Sequence, residues 1–212
     1  GHEYLFQMLA QQNVQVLNDA GATRIVVTCA HCFNTLRNEY PQVGGHYDVI
    51  HHTTLLSQLV ADRRLVPVVP VAQSVTYHDP CYLGRHNRVF AAPREVLGSV
   101  PGLTLTEMPR TRERSFCCGA GGARMWMDED LGTRINLNRT DEALALSPDL
   151  VTAACPFCVT MLTDGVAQRR MEGAAGDSVE VLDIAEVLLR SVRPDLDDAA
   201  PSGAATTPTS EQ

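Results

Sequence analysis

Seven cysteines, and the way they are spaced, constrain this 212-residue chain more than anything else in it. Six stand in pairs, Cys29-x-x-Cys32, Cys117-Cys118 and Cys155-x-x-Cys158, and Cys81 stands alone. A secreted disulfide scaffold pairs its cysteines evenly and is smaller. Two C-x-x-C pairs and a C-C in a chain of this length read instead as thiolate ligands in a reducing compartment. Thiolate sulfur is soft, and it selects iron–sulfur clusters, zinc or Cu(I) over harder ions.

Each C-x-x-C follows a short apolar run. The β-branched residues 24–28 read as a buried strand with Cys29 at its C-terminal end, followed by a short helix from Cys32. Residues 150–153 feed Cys155 in the same way, and Cys158 opens a helix with Met161, Leu162 and Val166. The N–H groups and positive dipole end of such a helix stabilise thiolates. Further strands are expected at 47–50, 75–78 and 103–106, and helices at 53–60 and 93–97. An N-terminal helix should carry Leu5, Met8, Leu9, Val16 and Leu17, and another should run from Met125 with Met127, Leu131 and Ile135 on one face. This alternation predicts an α/β fold with mainly parallel sheets. In a parallel sheet the strand C-terminal ends gather along one edge, so cysteines distant in sequence can converge. The run Gly119-Ala-Gly121-Gly122 permits close backbone approach and offers N–H donors there.

The chain also resembles itself. RIVVTCAHCFNTL from Arg24 matches DLVTAACPFCVTML from Asp149, with Cys29 and Cys155 126 positions apart. Downstream, YDVIHHTTLLSQLV from Tyr47 matches VEVLDIAEVLLRSV from Val179 after a slightly different gap. Any two βα units look somewhat alike, but a double match is less easily a coincidence. At this offset the first-copy counterparts of Cys81, Cys117 and Cys118 precede residue 1. The sequence therefore predicts two related cysteine-rich βα-type domains. The first, 1–66, is the C-terminal part of a copy truncated at its N-terminus, with Cys29 and Cys32 as an orphaned metal half site. The second, 67–192, is complete and begins after a Pro-rich connector, and 193–212 is a disordered tail with too few bulky apolar residues to fold.

A formal charge of −8 argues against nucleic acid or an anionic membrane surface as partner and in favour of a protein. No run approaches the roughly 20 apolar residues that span a bilayer, and the start, Gly1-His2-Glu3, is not a signal segment. No Ser-His-Asp set or phosphate-binding loop is evident, and one-electron passage through a cluster needs neither.

Cys81, 35 residues, Cys117-Cys118-Gly119, 35 residues, and Cys155-x-x-Cys158 together resemble the cysteine-rich CCG domain of the heterodisulfide reductase B subunit. The same domain occurs in iron–sulfur subunits of glycolate and lactate oxidation systems, and in membrane-bound oxidoreductases that accept electrons from electron-transfer flavoprotein. HDPCYLGRH from His78 and ERSFCCGAGGARMWM from Glu113 most resemble the last group. The resemblance covers residues 1 to about 190 and implies tandem CCG domains and an oxidoreductase component. It implies an unusual non-cubane [4Fe-4S] cluster on Cys81, Cys117, Cys118, Cys155 and Cys158, with zinc as the alternative metal where motifs are altered. Electrons would pass from a flavoprotein donor toward a membrane quinone pool, in the cytoplasm or at the cytoplasmic face of the membrane. A zinc-stabilised structural or docking domain and a disulfide-reducing catalytic subunit are the competing readings. The first copy departs from the pattern by keeping only Cys29 and Cys32. Ferredoxin-type cysteine runs are absent from this chain.

Around the ligands, His78 is a candidate to donate an N–H to a cluster sulfur, as are the backbones of Gly119 and Gly121. Asp79 and His86 flank Cys81 with it. His51-His52 looks like a metal pair, but adjacent strand residues point to opposite faces, so a structural or exposed role is expected. His31 would be a ligand only if the orphaned pair binds zinc. Arg110, Arg112 and Arg114 are expected on a solvated loop face, and Met125 and Trp126 in core packing or as a cluster shield.

Overall fold

The computed structural model describes residues 2–127 and 132–192. The predicted tail, 193–212, and Leu131 lie outside the described residues. Helix α1 (Glu3–Asp19) leads into strand β1 (Arg24–Val27) and helix α2 (Ala30–Asn34), which continues as a π-helical stretch over Thr35–Glu39. Strand β2 (Asp48–His51) and helix α3 (His52–Ala61) follow, then β3 (Ser74–His78), α4 (Ala91–Ser99) and β4 (Thr104–Leu105). The described residues close with α5 (Ile135–Leu144), β5 (Leu150–Ala153), α6 (Pro156–Met171), β6 (Glu180–Asp183) and α7 (Ile184–Val192).

Every strand pairing is parallel, as α/β alternation requires. β1 and β2 form a two-stranded sheet, and the other four strands form a sheet in the order β4-β3-β5-β6. The repeat reappears as register. Arg24 pairs with Asp48 and Val27 with His51, while Leu150 pairs with Glu180 and Ala153 with Asp183. Arg24 and Leu150 are equivalent positions of the two copies, so both βαβ units are built to one plan. A single buried cluster spans both sheets, joining Ala30, Phe33 and Val49 to Val75, Leu150, Leu162 and Ile184.

Two elements differ from expectation. The helix from Met125 does not form as drawn: Gly121–Trp126 is a 3₁₀ stretch broken by left-handed backbone at Gly122 and Ala123, and Met127 is extended. The glycine-rich run turns the chain away from helix, and the helix starts at Ile135. Helix α1 buries Ala10 and Val14 against Tyr40 instead of its larger apolar residues, and Leu5, Met8, Leu9 and Val16 are exposed. Spacing alone identified the helix but not which stripe would find a neighbour.

On the other side of the molecule α5 packs on α6 at close range. Gly165 permits this, because a Cβ there would run into the side chain of Thr140. That contact fixes α6, whose first turn carries Cys158, against the helix that follows the glycine-rich loop.

Candidate metal centre

Parallel β3 and β5 lie side by side with His78 opposite Ala153, so the segments after both strands leave from one sheet edge. Cys81 lies three residues beyond the first strand, and Cys155 caps the N-terminus of α6 two residues beyond the second. Cys158 follows in the first turn of α6. Cys117-Cys118 arrives on a loop that is tied down by Asp79. This buried carboxylate accepts from Arg94 Nη1 and Nη2 at 2.8 and 2.9 Å, from the Arg112 backbone N–H at 2.8 Å and from the Thr111 hydroxyl at 3.0 Å. The Ser115 hydroxyl donates to the Asp79 carbonyl at 3.0 Å. Burial raises the Asp79 pKa, but Arg94 and the other donors outweigh it and hold the group below its ordinary value, as a carboxylate.

The five sulfurs form an unbroken chain of contacts, Cys81 to Cys117, Cys117 to Cys118, Cys118 to Cys158 and Cys158 to Cys155, and Cys29 of the first copy touches its end at Cys155. Cys118, Cys155 and Cys158 are buried, and Cys81 and Cys117 are half-buried. Neighbouring thiols shift in opposite directions along the chain. Hydrogen bonds from Cys118 and Cys81, with the Gly119 N–H at 3.2 Å, push Cys117 far down against the opposing effect of burial. Cys155 is pushed down by Cys158 and Cys29. The donors shift the other way: Cys118 is pushed up to about 12, first by its bond to Cys117, and Cys158 rises well above its ordinary value through Cys118 and Cys155. Five cysteine sulfurs gathered in a largely buried pocket, with the Gly119 N–H on Cys117, are a donor set suited to a soft multi-metal group. Of the predicted glycines, Gly119 donates to Cys117; its left-handed backbone favours glycine, and a Cβ there would press on the Asn136 backbone nitrogen. Gly121 lies on the wall of an adjacent cavity.

A ring nitrogen of His78 lies within 4.8 Å of the Cys118 and Cys158 sulfurs. Its Nδ1 accepts from Arg139 Nε at 3.0 Å, and Arg139 in turn donates to Glu142 at 2.8 Å. Burial first, and then the Arg139 charge, lower the His78 pKa to about 3, so its imidazole is neutral. Sequence reading missed Arg139, a wholly buried arginine on α5, and also Arg94. Both sit on helices far from any cysteine in sequence, and only Asp79 beside Cys81 hinted that a buried cation was needed.

The orphaned half site divides. Cys29 is buried and grouped with His31 and Cys155, whereas Cys32 is exposed. His51 and His52 are both buried with ring centroids 4.5 Å apart. They do not face opposite ways, because His51 ends β2 and His52 opens α3. Their roles are structural: His51 caps α3 by accepting from the Thr53 N–H, and His52 Nε2 meets Asp183 at 3.0 Å. Arg110 keeps much of its side chain exposed but also stacks 3.9 Å from the Phe116 ring and pairs with Glu142, while Arg112 and Arg114 are exposed. His86 is exposed and stacks on Tyr82. Trp126 is not core, being 78% exposed on the rim of a cavity of about 280 Å³ that also involves Met125, Phe157 and His31.

An α/β scaffold of parallel βα units that brings a C-C pair, a C-x-x-C and a lone cysteine to one sheet edge defines a cysteine-rich metal-binding class. The family profile of the cysteine-rich domain CCG matches residues 1–37 and 75–163, and the chain belongs to that family. It is similar to the probable iron-sulfur-binding oxidoreductase FadF of Bacillus subtilis, 44% identical over 192 residues, covering 91% of this chain and 27% of that protein. It is also similar to the EtfAB:quinone oxidoreductase of Syntrophomonas wolfei, 44% identical over 199 residues with the same coverage. A third relative is a subunit of the dihydromethanophenazine:CoB–CoM heterodisulfide reductase of Methanosarcina barkeri, 37% identical over 183 residues, covering 85% of this chain and 44% of that polypeptide. The chain thus spans less than half the length of these relatives. No helix among the described residues is long and apolar enough to cross a membrane.

Proposed function

We propose that this chain is the iron–sulfur electron-transfer module of an oxidoreductase, with Cys81, Cys117, Cys118, Cys155 and Cys158 holding a [4Fe-4S] cluster of non-cubane type. The observation that carries the reading is the unbroken chain of these five sulfurs at one sheet edge. Similarity to proteins named as iron–sulfur oxidoreductases supports iron over zinc. When bound, such a cluster accepts and releases single electrons. The chain's own residues supply the rest. Neighbouring thiols favour the thiolate form at Cys117 and Cys155, Gly119 donates an N–H to Cys117, and His78 stays neutral beside the Arg139 charge. Arg94 and Asp79 keep the C-C loop and the Cys81 turn in one place.

Residues 1–66 and 67–192 are two copies of one domain in this reading, with the first copy incomplete and the second carrying the centre. In the whole protein, electrons come from electron-transfer flavoprotein and go toward quinone at the cytoplasmic face of a membrane. The name of the Syntrophomonas relative supports this donor and acceptor.

Iron, acid-labile sulfide and zinc are to be measured on anaerobically prepared chain, with EPR spectra before and after oxidation. About four irons and four sulfides per chain with a redox-dependent signal are expected. About one zinc, with no sulfide and no signal after attempted reconstitution, sinks the proposal in favour of a zinc-stabilised docking domain.

A further inference from the structure

Resting on the reading above, in which Cys155 is a ligand, we infer that His31 is a positioning residue: its Nδ1–H donates to the Cys155 sulfur, so that the first repeat tunes the potential of a centre whose ligands come from the second. His31 Nδ1 lies 3.9 Å from Cys155 Sγ and 3.9 Å from Cys29 Sγ. The Cys155 sulfur is wholly buried, and no other imidazole is placed at this distance from it among the described hydrogen bonds.

The ring is held from several sides. Tyr82, the residue after Cys81, packs on it with centroids 4.5 Å apart, and Phe157 meets it edge-on at 5.3 Å and 82°. His86 stacks behind Tyr82 at 4.5 Å and 14°. Beside this stack, Asn87 Nδ2 donates to the Tyr82 carbonyl at 2.7 Å and to Asn34 Oδ1 at 3.0 Å, and Asn38 donates to Asn87 at 3.0 Å. The helix that carries His31 is therefore tied to the Cys81 turn by side-chain hydrogen bonds as well as by stacking.

The repeat sharpens the point. His31 and Phe157 are equivalent positions, each two residues beyond the cysteine that caps its helix. They meet where the two helix starts face each other, and only one of the two rings carries an N–H. An N–H donated to a ligand sulfur draws charge from it and favours the reduced, more negative state, which raises the potential.

The test is a redox titration of the reconstituted chain, its His31→Phe and its His31→Asn variants, with iron and sulfide measured on each. Phenylalanine keeps a ring between Tyr82 and Phe157 and removes the donor, so His31→Phe should hold the same iron and titrate at a lower potential. His31→Asn, whose amide N–H stands near the place of Nδ1–H, should titrate close to the unmodified chain. An unchanged potential in His31→Phe overturns the inference, and so does loss of its iron, which would make His31 a ligand. If the unmodified chain takes up no iron and sulfide, the iron–sulfur reading fails by itself. The donor is then decided by nitrogen NMR of the histidines of the reduced, metal-free Cys29→Ala chain, in which Cys155 is the sulfur left at 3.9 Å from Nδ1: an Nδ1–H tautomer at His31 upholds the bond to Cys155, and the Nε2–H tautomer overturns it.

Discussion

The two repeats hydrogen-bond their strand pairs in one register and each caps a helix with the first cysteine of a C-x-x-C, yet their surroundings differ sharply. β5 lies between β3 and β6 and is buried along its whole length, whereas β1 has β2 as its single partner and alternates between exposed and half-buried. β3 brings His78, Asp79 and the Cys81 turn to the second repeat, and Asp79 then fastens the loop that bears Cys117 and Cys118. No described strand does this for β1. A C-x-x-C is thus a local product of one βα unit, while a five-sulfur set depends on the neighbouring strand and on what that strand anchors.

The largest effect on stability should come from breaking that anchor. Arg94→Ala leaves Asp79 buried without its cation and should cost about 3–5 kcal/mol in urea unfolding. Arg24→Ala in the first repeat removes an exposed pair with Asp48 and should change stability by no more than about 0.5 kcal/mol. Similar losses from the two variants would erase the distinction between the repeats. Equivalent core positions give a second comparison: Leu162 is fully buried and Leu36 only partly. Leu162→Ala should cost about 2–5 kcal/mol and Leu36→Ala less than about 2.

Much of the fold was legible because its signals are local. β-branched runs marked β1 and β5, and the double self-match anticipated the register that the two strand pairs share. The five cysteines were legible from spacing and family resemblance, and the edge they share from the rule that parallel strands end together. What escaped was set by packing between distant segments. Arg139 reads in sequence as an ordinary helix residue and becomes a buried contact of His78 only because α5, packed on α6, brings it within hydrogen-bond reach of the end of β3. His31 looked like a bystander inside the orphaned pair, and its approach to Cys155 exists only because the two helix starts meet. Met127 is extended where hydrophobic spacing alone ran a helix on from Met125.

A smaller expected effect concerns acid. Burial first, and then the neighbouring His52, hold the His51 pKa down at about 4, below its ordinary 6.5. Between these values the unfolded chain binds a proton that the folded chain does not, so stability falls as pH drops from about 6.5 to 4 and levels off below. For one such group the loss is about 3 kcal/mol. His78 acts in the same direction, so His51→Asn, which keeps an acceptor for the Thr53 N–H, should remove only part of the slope. Urea midpoints at several pH values check this, and an unchanged slope would show that His51 is protonated in the fold.

The central claim is that the centre belongs to the second repeat, and paired removals of the two C-x-x-C motifs test it most directly. Iron and sulfide are to be measured on reconstituted Cys29→Ser/Cys32→Ser and Cys155→Ser/Cys158→Ser chains. About four irons are expected in the first, as in the unmodified chain, and almost none in the second. Iron lost from the first and kept in the second would contradict it.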